Sequence, residues 1–552
     1  MKLPLRSWLT ALALALVGHV AIAQEPAADP IAELARRIDA LERENQTLRE
    51  AVMPRLPAPQ PQQPLQPDPQ VGPLDADPEL ALPDVPIYAA ADALAQPSPS
   101  DAPAAAAAPA DAGYVVGSDL SMSASWNNGL EVSTKNKDFR VHVGGRYQFD
   151  TSWYDADQSV QQNINIPYSD GVDFRRARLR IDGTMYEVID WAFEYDFVNA
   201  IRVRTGTGTA QSDLGVPAVT EAWWTFTHLP VVGNIRVGNH KEAIGFEHIV
   251  SSRFQPFIER SYNQDSFYGG SFNGFDPGIS MFNTYAEERG TWNVGLFKTS
   301  NNVFGYNNTD GDYTLVGRLT NLPVYVDNGR QLLHLGMSVR QATTYDDRIR
   351  YRTRDAIRSG ISSTWPVPAD TGQVLGSEMQ WINLELVAVQ GPWTFQSEYL
   401  MDFHHNAQAT NAAGAGVGPF VDTLFYHGGY VQLLYFLTGE SDNYNRKTGA
   451  FDRVIPFENY FLVSEEDGYH CHGKGAWQVG ARYNFLDLND EGIDGGLLHN
   501  FTLGLNWFLN PNMKIQFDYF ATHRDAPTVP TVFFPDGDGW IHGWGCRFAH
   551  DF

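Results

Sequence analysis

The chain has 552 residues, with 39 Lys and Arg against 65 Asp and Glu, and its net charge of −26 argues against a nucleic-acid partner, because neutralising phosphates takes a basic footprint. Aromatic residues make up 13%, with 14 Trp, 24 Tyr and 32 Phe, enough to order a large body. Cys471 and Cys546 are the only cysteines, which excludes a disulfide framework, and no uncharged apolar run of 18 residues follows the N-terminal segment, so membrane insertion would have to use strands.

Residues 1–23 read as an export signal: Lys2 and Arg6, an apolar stretch from Trp8 to Val17, then Ala21-Ile22-Ala23 before a mature start at Gln24. Within 24–53, Ile31, Leu34, Ile38, Leu41, Asn45, Leu48 and Val52 alternate steps of three and four, the a and d positions of a coiled coil. About three heptads cannot hold a lone helix in water, so this segment predicts self-association. Residues 54–113 hold fifteen prolines and few branched or aromatic side chains, the composition of a disordered, semi-extended linker.

From 114 to 552 the texture changes to segments of about ten residues that alternate apolar and polar and are separated by Gly, Asn, Asp and Pro. Phe501, Leu503, Leu505 and Trp507, for example, alternate with Asn500, Thr502, Gly504 and Asn506. Candidate strands centre near 145, 179, 196, 224, 238, 282, 295, 318, 337, 384, 398, 432, 480, 504, 517 and 546. Sixteen strands, an even number, put both ends of a closed barrel on one side. Tight turns at 187–190, 229–234, 390–392 and 510–512 then fall in the periplasm, and the long connections 155–171, 245–276, 346–377, 405–425 and 524–539 fall outside. The stretch 439–474 breaks this rule, because it is long and on the periplasmic side. A soluble sandwich would show the same period of two, and segment length and terminal aromatics favour the barrel. The chain ends on Phe552 after an alternating strand, as outer-membrane barrels do by resemblance.

Phe174-Arg175-Arg176-Ala177-Arg178-Leu179, Asn234-Ile235-Arg236-Val237-Gly238-Asn239-His240-Lys241-Glu242, Phe257-Ile258-Glu259-Arg260-Ser261, Leu437-Thr438-Gly439-Glu440 and Leu509-Asn510-Pro511-Asn512 stand in an order and spacing that resembles the phosphate-selective porin O/P family. The resemblance covers essentially all of 139–552. It implies a trimer of sixteen-stranded barrels, each with its own pore, narrowed by an inward-folded third loop. The coiled coil fits such a homotrimer, although Asn45 at an a position would by itself suit a dimer as readily, and barrel-to-barrel contacts would supply the rest of its interface.

Strand parity selects the residues that would meet the solute. Arg176, Arg178 and Arg180 oppose Ala177, Leu179 and Ile181, so three guanidiniums face the lumen if the apolar set faces lipid. The same rule adds Arg140, Arg146, Arg236, Arg318, Arg340 and Arg482. The resemblance adds Arg253 and Arg260 on the third loop, with Lys241 at its approach. Arginine rings attract anions because each guanidinium offers several fixed donors. A wall-stiffening role, with partners among Asp150, Asp182, Glu194, Asp196, Glu242, Glu398 and Asp518, stays open for each. So does phosphate selectivity, since the region after 113 carries 32 basic and 50 acidic residues.

Gly-x-Ser-x-Gly and phosphate-loop patterns are absent, and no Ser or Thr pairs with a His on the lipid-facing side, so no enzymatic activity, cofactor or metal is expected. His470-Cys471-His472 lacks a second ligand pair for zinc, and the parity of Trp544, Cys546 and Phe548 turns Cys546 toward lipid as a free thiol. The expected function is an outer-membrane channel for small hydrophilic solutes, with anions preferred and phosphate or polyphosphate among them. The alternative is an envelope protein whose barrel anchors the coiled-coil tether to the cell wall.

Overall fold

The computed structural model describes residues 115–164, 166–205, 212–268, 274–299, 311–343, 348–359, 365–410, 415–464, 470–525 and 537–552. The expected signal peptide, coiled coil and linker lie outside the described residues.

Two short strands, β1 (Met122–Trp126) and β2 (Leu130–Thr134), precede the wall strands β3 (Phe139–Ala156), β4 (Gly171–Met185), β5 (Ile189–Thr205), β6 (Ser212–Leu229), β7 (Gly233–Lys241), β8 (Phe275–Tyr285), β9 (Gly290–Lys298), β10 (Tyr313–Val326) and β11 (Gln331–Thr343). The next connection carries the two-residue strands β12 (Arg348–Ile349), β13 (Arg352–Thr353), β14 (Ala369–Asp370) and β15 (Val374–Leu375). The wall resumes with β16 (Glu378–Gln390), β17 (Trp393–Ala409) and β18 (Val421–Phe436). Two hairpins follow, β19 (Tyr444–Asn445) with β20 (Ala450–Phe451) and β21 (Phe461–Ser464) with β22 (His470–Gly473). The wall ends with β23 (Ala476–Asp490), β24 (Ile493–Asn510), β25 (Met513–Asp525) and β26 (Gly539–Asp551).

Each wall strand pairs antiparallel with the next, and β26 pairs with β3 from Ile541 opposite Ala156 to Asp551 opposite Arg146, so the sixteen predicted strands close on themselves. Closure gives every wall strand a paired neighbour on each side, which a bilayer favours because lipid offers no hydrogen bonds. The alternation decides which face is which. In β24, Phe501 and Leu503 are each 45% exposed on the outside, while Asn500, Thr502 and Asn506 are buried inside. A sandwich buries the opposite set. Cys546 is a free thiol that shares its parity with the exposed Trp544 and Phe548.

Short turns join β4 to β5, β10 to β11, β16 to β17 and β24 to β25, at the end where Phe552 bonds Gly145. In the β10–β11 turn, Asp327 and Asn328 both adopt left-handed backbone (φ 51° and 50°), which matches the twist of a tight hairpin. The long connection between β18 and β23 lies at this same end, so the exception seen in the sequence is real. The lumen is partly filled. Phe267, Tyr268, Tyr351, Trp381, Leu400, Tyr426, Leu486 and Leu498 form an apolar core between the third and fifth outer connections and the wall from β16 to β24.

Candidate functional site

The site begins in β4, where Arg178 and Arg180 follow the expected parity into the lumen. Arg178 meets Glu194 at 2.9 Å and Asp196 at 2.6 Å, and Arg180 bonds Asp182 at 3.0 Å and also Glu221. The register slips between Gln148 opposite Arg176 and Phe149 opposite Phe174, leaving Arg175 as the extra residue of a bulge. Arg175 and Arg176 are therefore both buried on the lumen side, although strict alternation sends one of them to lipid.

Within the third outer connection, residues 242–268 fold inward and span the lumen, as the resemblance implied. Glu398 of β17 accepts the backbone N–H groups of Phe246 (2.7 Å) and Glu247 (2.8 Å). Across the barrel, Asp518 accepts from Ile258 N–H at 2.7 Å, Arg482 donates to the Glu259 carbonyl at 3.1 Å, and Asn506 donates to the Pro256 carbonyl at 2.7 Å. Gly504 gives this loop its seat: a Cβ there would lie 3.0 Å from the Phe257 ring. Glu259 is gripped by Arg175 (2.6 Å), Arg358 (3.1 Å) and Arg547 (3.1 Å). Burial pushes its carboxyl up, but Arg175 first, then Arg358, Arg176 and Arg547, outweigh that and hold it well below the usual carboxylate range.

Between this loop and the wall from β3 to β7 lies a cavity of about 810 Å³. Ten cations line it, Arg140, Arg146, Arg175, Arg176, Arg178, Arg180, Lys241, Arg253, Arg260 and Arg358, against six carboxylates, Asp182, Glu194, Glu221, Glu259, Asp265 and Asp452, a surplus of four positive charges. Arg140 bonds Asp182 (3.0 Å), Arg146 meets Glu194 (3.3 Å) and Arg253 meets Asp551 (3.5 Å). Arg176 bonds the Gln148 amide (2.8 Å), Lys241 the His248 carbonyl (2.7 Å), and Arg260 the carbonyls of Glu247 (3.0 Å) and Val250 (2.7 Å). Those three thus donate to neutral acceptors.

The other candidates sit on the lumen side but away from this cavity. Arg318 binds Glu385 (2.7 Å) and the Gly449 carbonyl (2.8 Å), holding the β19–β20 hairpin inside the barrel. Arg340 binds Glu242 (2.8 Å) with its guanidinium 4.3 Å from the Trp381 ring centre. Arg482 steadies the third loop, and Arg236 bonds Thr225 (2.9 Å) and covers Trp223 at 3.8 Å. Of these four, Arg318 and Arg340 pair with lumen carboxylates, Arg482 also meets Glu247 of the third loop (3.4 Å), and Arg236 rests on a hydroxyl and an indole. The lumen carboxylates Asp150 and Glu242 likewise pair with Arg547 and Arg340.

Sequence reading missed Arg175 and Arg358. The doubled arginine in Arg175-Arg176 was a usable signal, because one of two adjacent charges must face lipid unless a bulge intervenes. Arg358 closes the run Arg348, Arg350, Arg352, Arg354, whose alternation resembles a wall strand but belongs to the fifth outer connection. There Arg350 pairs with Asp370 (2.5 Å) and Arg354 with Asp265 (3.3 Å).

Residues 141–539 match the family described as phosphate-selective porin O and P. Porin O of Pseudomonas aeruginosa is 26% identical over 457 residues, covering 78% of this chain and 93% of that protein. Among solved structures, Salmonella typhi OmpF in complex with daunomycin aligns at TM-score 0.45 and 10% identity over 76% of this chain and all of that one. An anion-selective porin from Comamonas acidovorans aligns at TM-score 0.39 and 10% identity over 75% of this chain and all of that one.

Proposed function

The chain belongs to the phosphate-selective porin O and P family, and on that premise we propose that its outer-membrane channel prefers anions and holds phosphate only weakly. As a porin it passes small hydrophilic solutes by diffusion. The observation that carries the anion preference is the surplus of four positive charges around the cavity in a chain whose net charge is −26. Low-dielectric walls focus that local field, so the ion in transit responds to the lining and not to the distant outer loops. Weak retention follows from engagement. Most lining guanidiniums already hold carboxylates, which leaves Arg176, Lys241 and Arg260 to meet a phosphate, and a permeant ion must bind loosely enough to leave.

Three parts of the chain complete this reading. Residues 1–23 serve as a cleaved export signal, 24–53 join three copies as a coiled coil, and 54–113 tether that bundle to the barrel. Small anions and outer-membrane lipid are the partners, with cell-wall contact falling to the tether.

Reversal potentials in planar bilayers across a KCl gradient test the channel reading, with Arg176→Gln and Arg260→Gln as variants. Anion preference that falls in both variants is expected, with no strong block by added phosphate. A cation-preferring wild type would overturn the assignment. Removing residues 24–113 should leave conductance per barrel unchanged.

A further inference from the structure

The connection from β18 to β23 divides into two arms. The first, β19–β20, enters the lumen, where Tyr444 and Ala450 join a core with Phe246, Leu332 and Val387, and the Tyr444 hydroxyl bonds His334 Nδ1 at 2.7 Å. The second arm, leading into β21–β22, has the opposite character. Residues 454–464 contain one charged side chain, Glu458, yet Ile455 is 59%, Phe457 66% and Phe461 64% exposed.

We propose that this second arm is an interfacial anchor seated in the periplasmic leaflet, so that the connection grips the barrel rim from both faces. Its apolar surface is continuous with the lipid-facing belt. The Tyr460 ring meets Trp507 edge-on at 4.6 Å, and the Tyr460 backbone N–H donates to the Leu509 carbonyl at 2.6 Å. Trp507 stacks on Trp477 at 4.8 Å, and both indole N–H groups donate to the Lys474 carbonyl, at 2.9 and 3.2 Å. Tryptophans with one polar contact on an otherwise apolar wall mark the head-group level. Glu440 holds the arm to the rim by accepting the Phe457 N–H at 3.0 Å.

Backbone strain points the same way. Phe461 has φ 80°, a conformation that costs a bulky residue free energy and persists only where its surroundings compensate. In water an exposed phenyl ring adds a second cost. Hydrocarbon removes that second cost and favours the ring where the strained backbone sends it.

The proposal rests on the short turns lying in the periplasm, and site-directed spin labelling tests it separately from the barrel reading. In a Cys471→Ser, Cys546→Ser background, Phe457→Cys, Phe461→Cys and Ile455→Cys carry a nitroxide in phosphatidylethanolamine–phosphatidylglycerol vesicles. Val479→Cys is the lipid reference and Lys447→Cys the aqueous one. Oxygen accessibility like that of Val479→Cys, with accessibility to a water-soluble nickel chelate several-fold below that of Lys447→Cys, is expected at two or more arm positions. Lys447-like chelate access while Val479→Cys stays lipid-exposed would overturn the anchor and spare the barrel. Spin–spin broadening that fades on dilution with unlabelled protein would assign the arm to a second copy and also overturn it.

Discussion

The two sides of the lumen are built from the same alternating strands yet end in opposite states. Along β3 to β7 the inward side chains include many arginines and carboxylates, and beside them the cavity of about 810 Å³ remains. Along β16 to β24 the inward set includes Leu400, Leu424, Leu486 and Leu498, and the third and fifth connections fill the space against them with Phe267, Tyr268 and Tyr351. The difference follows from the cost of dehydration. Charged groups keep water beside them unless fully paired, whereas apolar inward positions draw loops across the lumen until the gap closes. A barrel of this circumference thus keeps its polar space to one side of the lumen without a change in strand number.

Variants on the two sides should separate stability from selectivity. Trp381→Ala opens a void on the filled side, for which a loss of about 3–5 kcal/mol is expected. Thermal melting should report it while the reversal potential stays put, and a selectivity change would mean the filled side also meets solute. Glu259→Gln removes the carboxylate shared by Arg175, Arg358 and Arg547, a rupture of a buried pair that costs about 3–5 kcal/mol. Because it frees the loop beside the cavity, single-channel records should become noisier as melting drops. Quiet, wild-type currents would show that the clasp does not hold the constriction.

Arginine exchanges sharpen the contrast at smaller cost. Arg340→Met should lower the melting temperature without moving the reversal potential, since Arg340 lies outside the cavity and serves Glu242. The opposite pattern, a shifted potential with little destabilisation, is expected for Arg176→Gln. Acid is expected to do least. Burial and then Arg175, Arg358 and the other guanidiniums act on Glu259 with a net lowering, so its contribution is complete above the unfolded value of about 4.3 and is lost only as pH falls through the lower folded value. The Glu259 clasp should therefore add no conductance transition of its own between neutral pH and about 5, and a transition in that range that is present in the wild type and absent in Glu259→Gln would overturn this.

Much of this architecture was legible before folding was considered. All sixteen wall strands announce themselves through period-two alternation, because lipid on one side and polar groups on the other select against any other pattern. The misplaced long connection was visible too, from counting alone. The site was less legible. Arg318 and Arg176 obey the same parity rule, but one holds an inserted hairpin and the other faces the cavity. Leu486 and Leu498 defied the expected wet face, and nothing in their strands says which loop will cover them.

Strand number and the division of each strand into an apolar and a polar parity are properties of the sequence itself, since they depend on neighbours two residues apart, whereas closure needs β26 to meet β3. The bulge that turns Arg175 inward, the partner that each cation finds and the side on which the channel stays open depend on side chains up to 397 positions apart, as in the Arg547–Asp150 pair. Those encounters exist only once the barrel has closed and its loops have entered it.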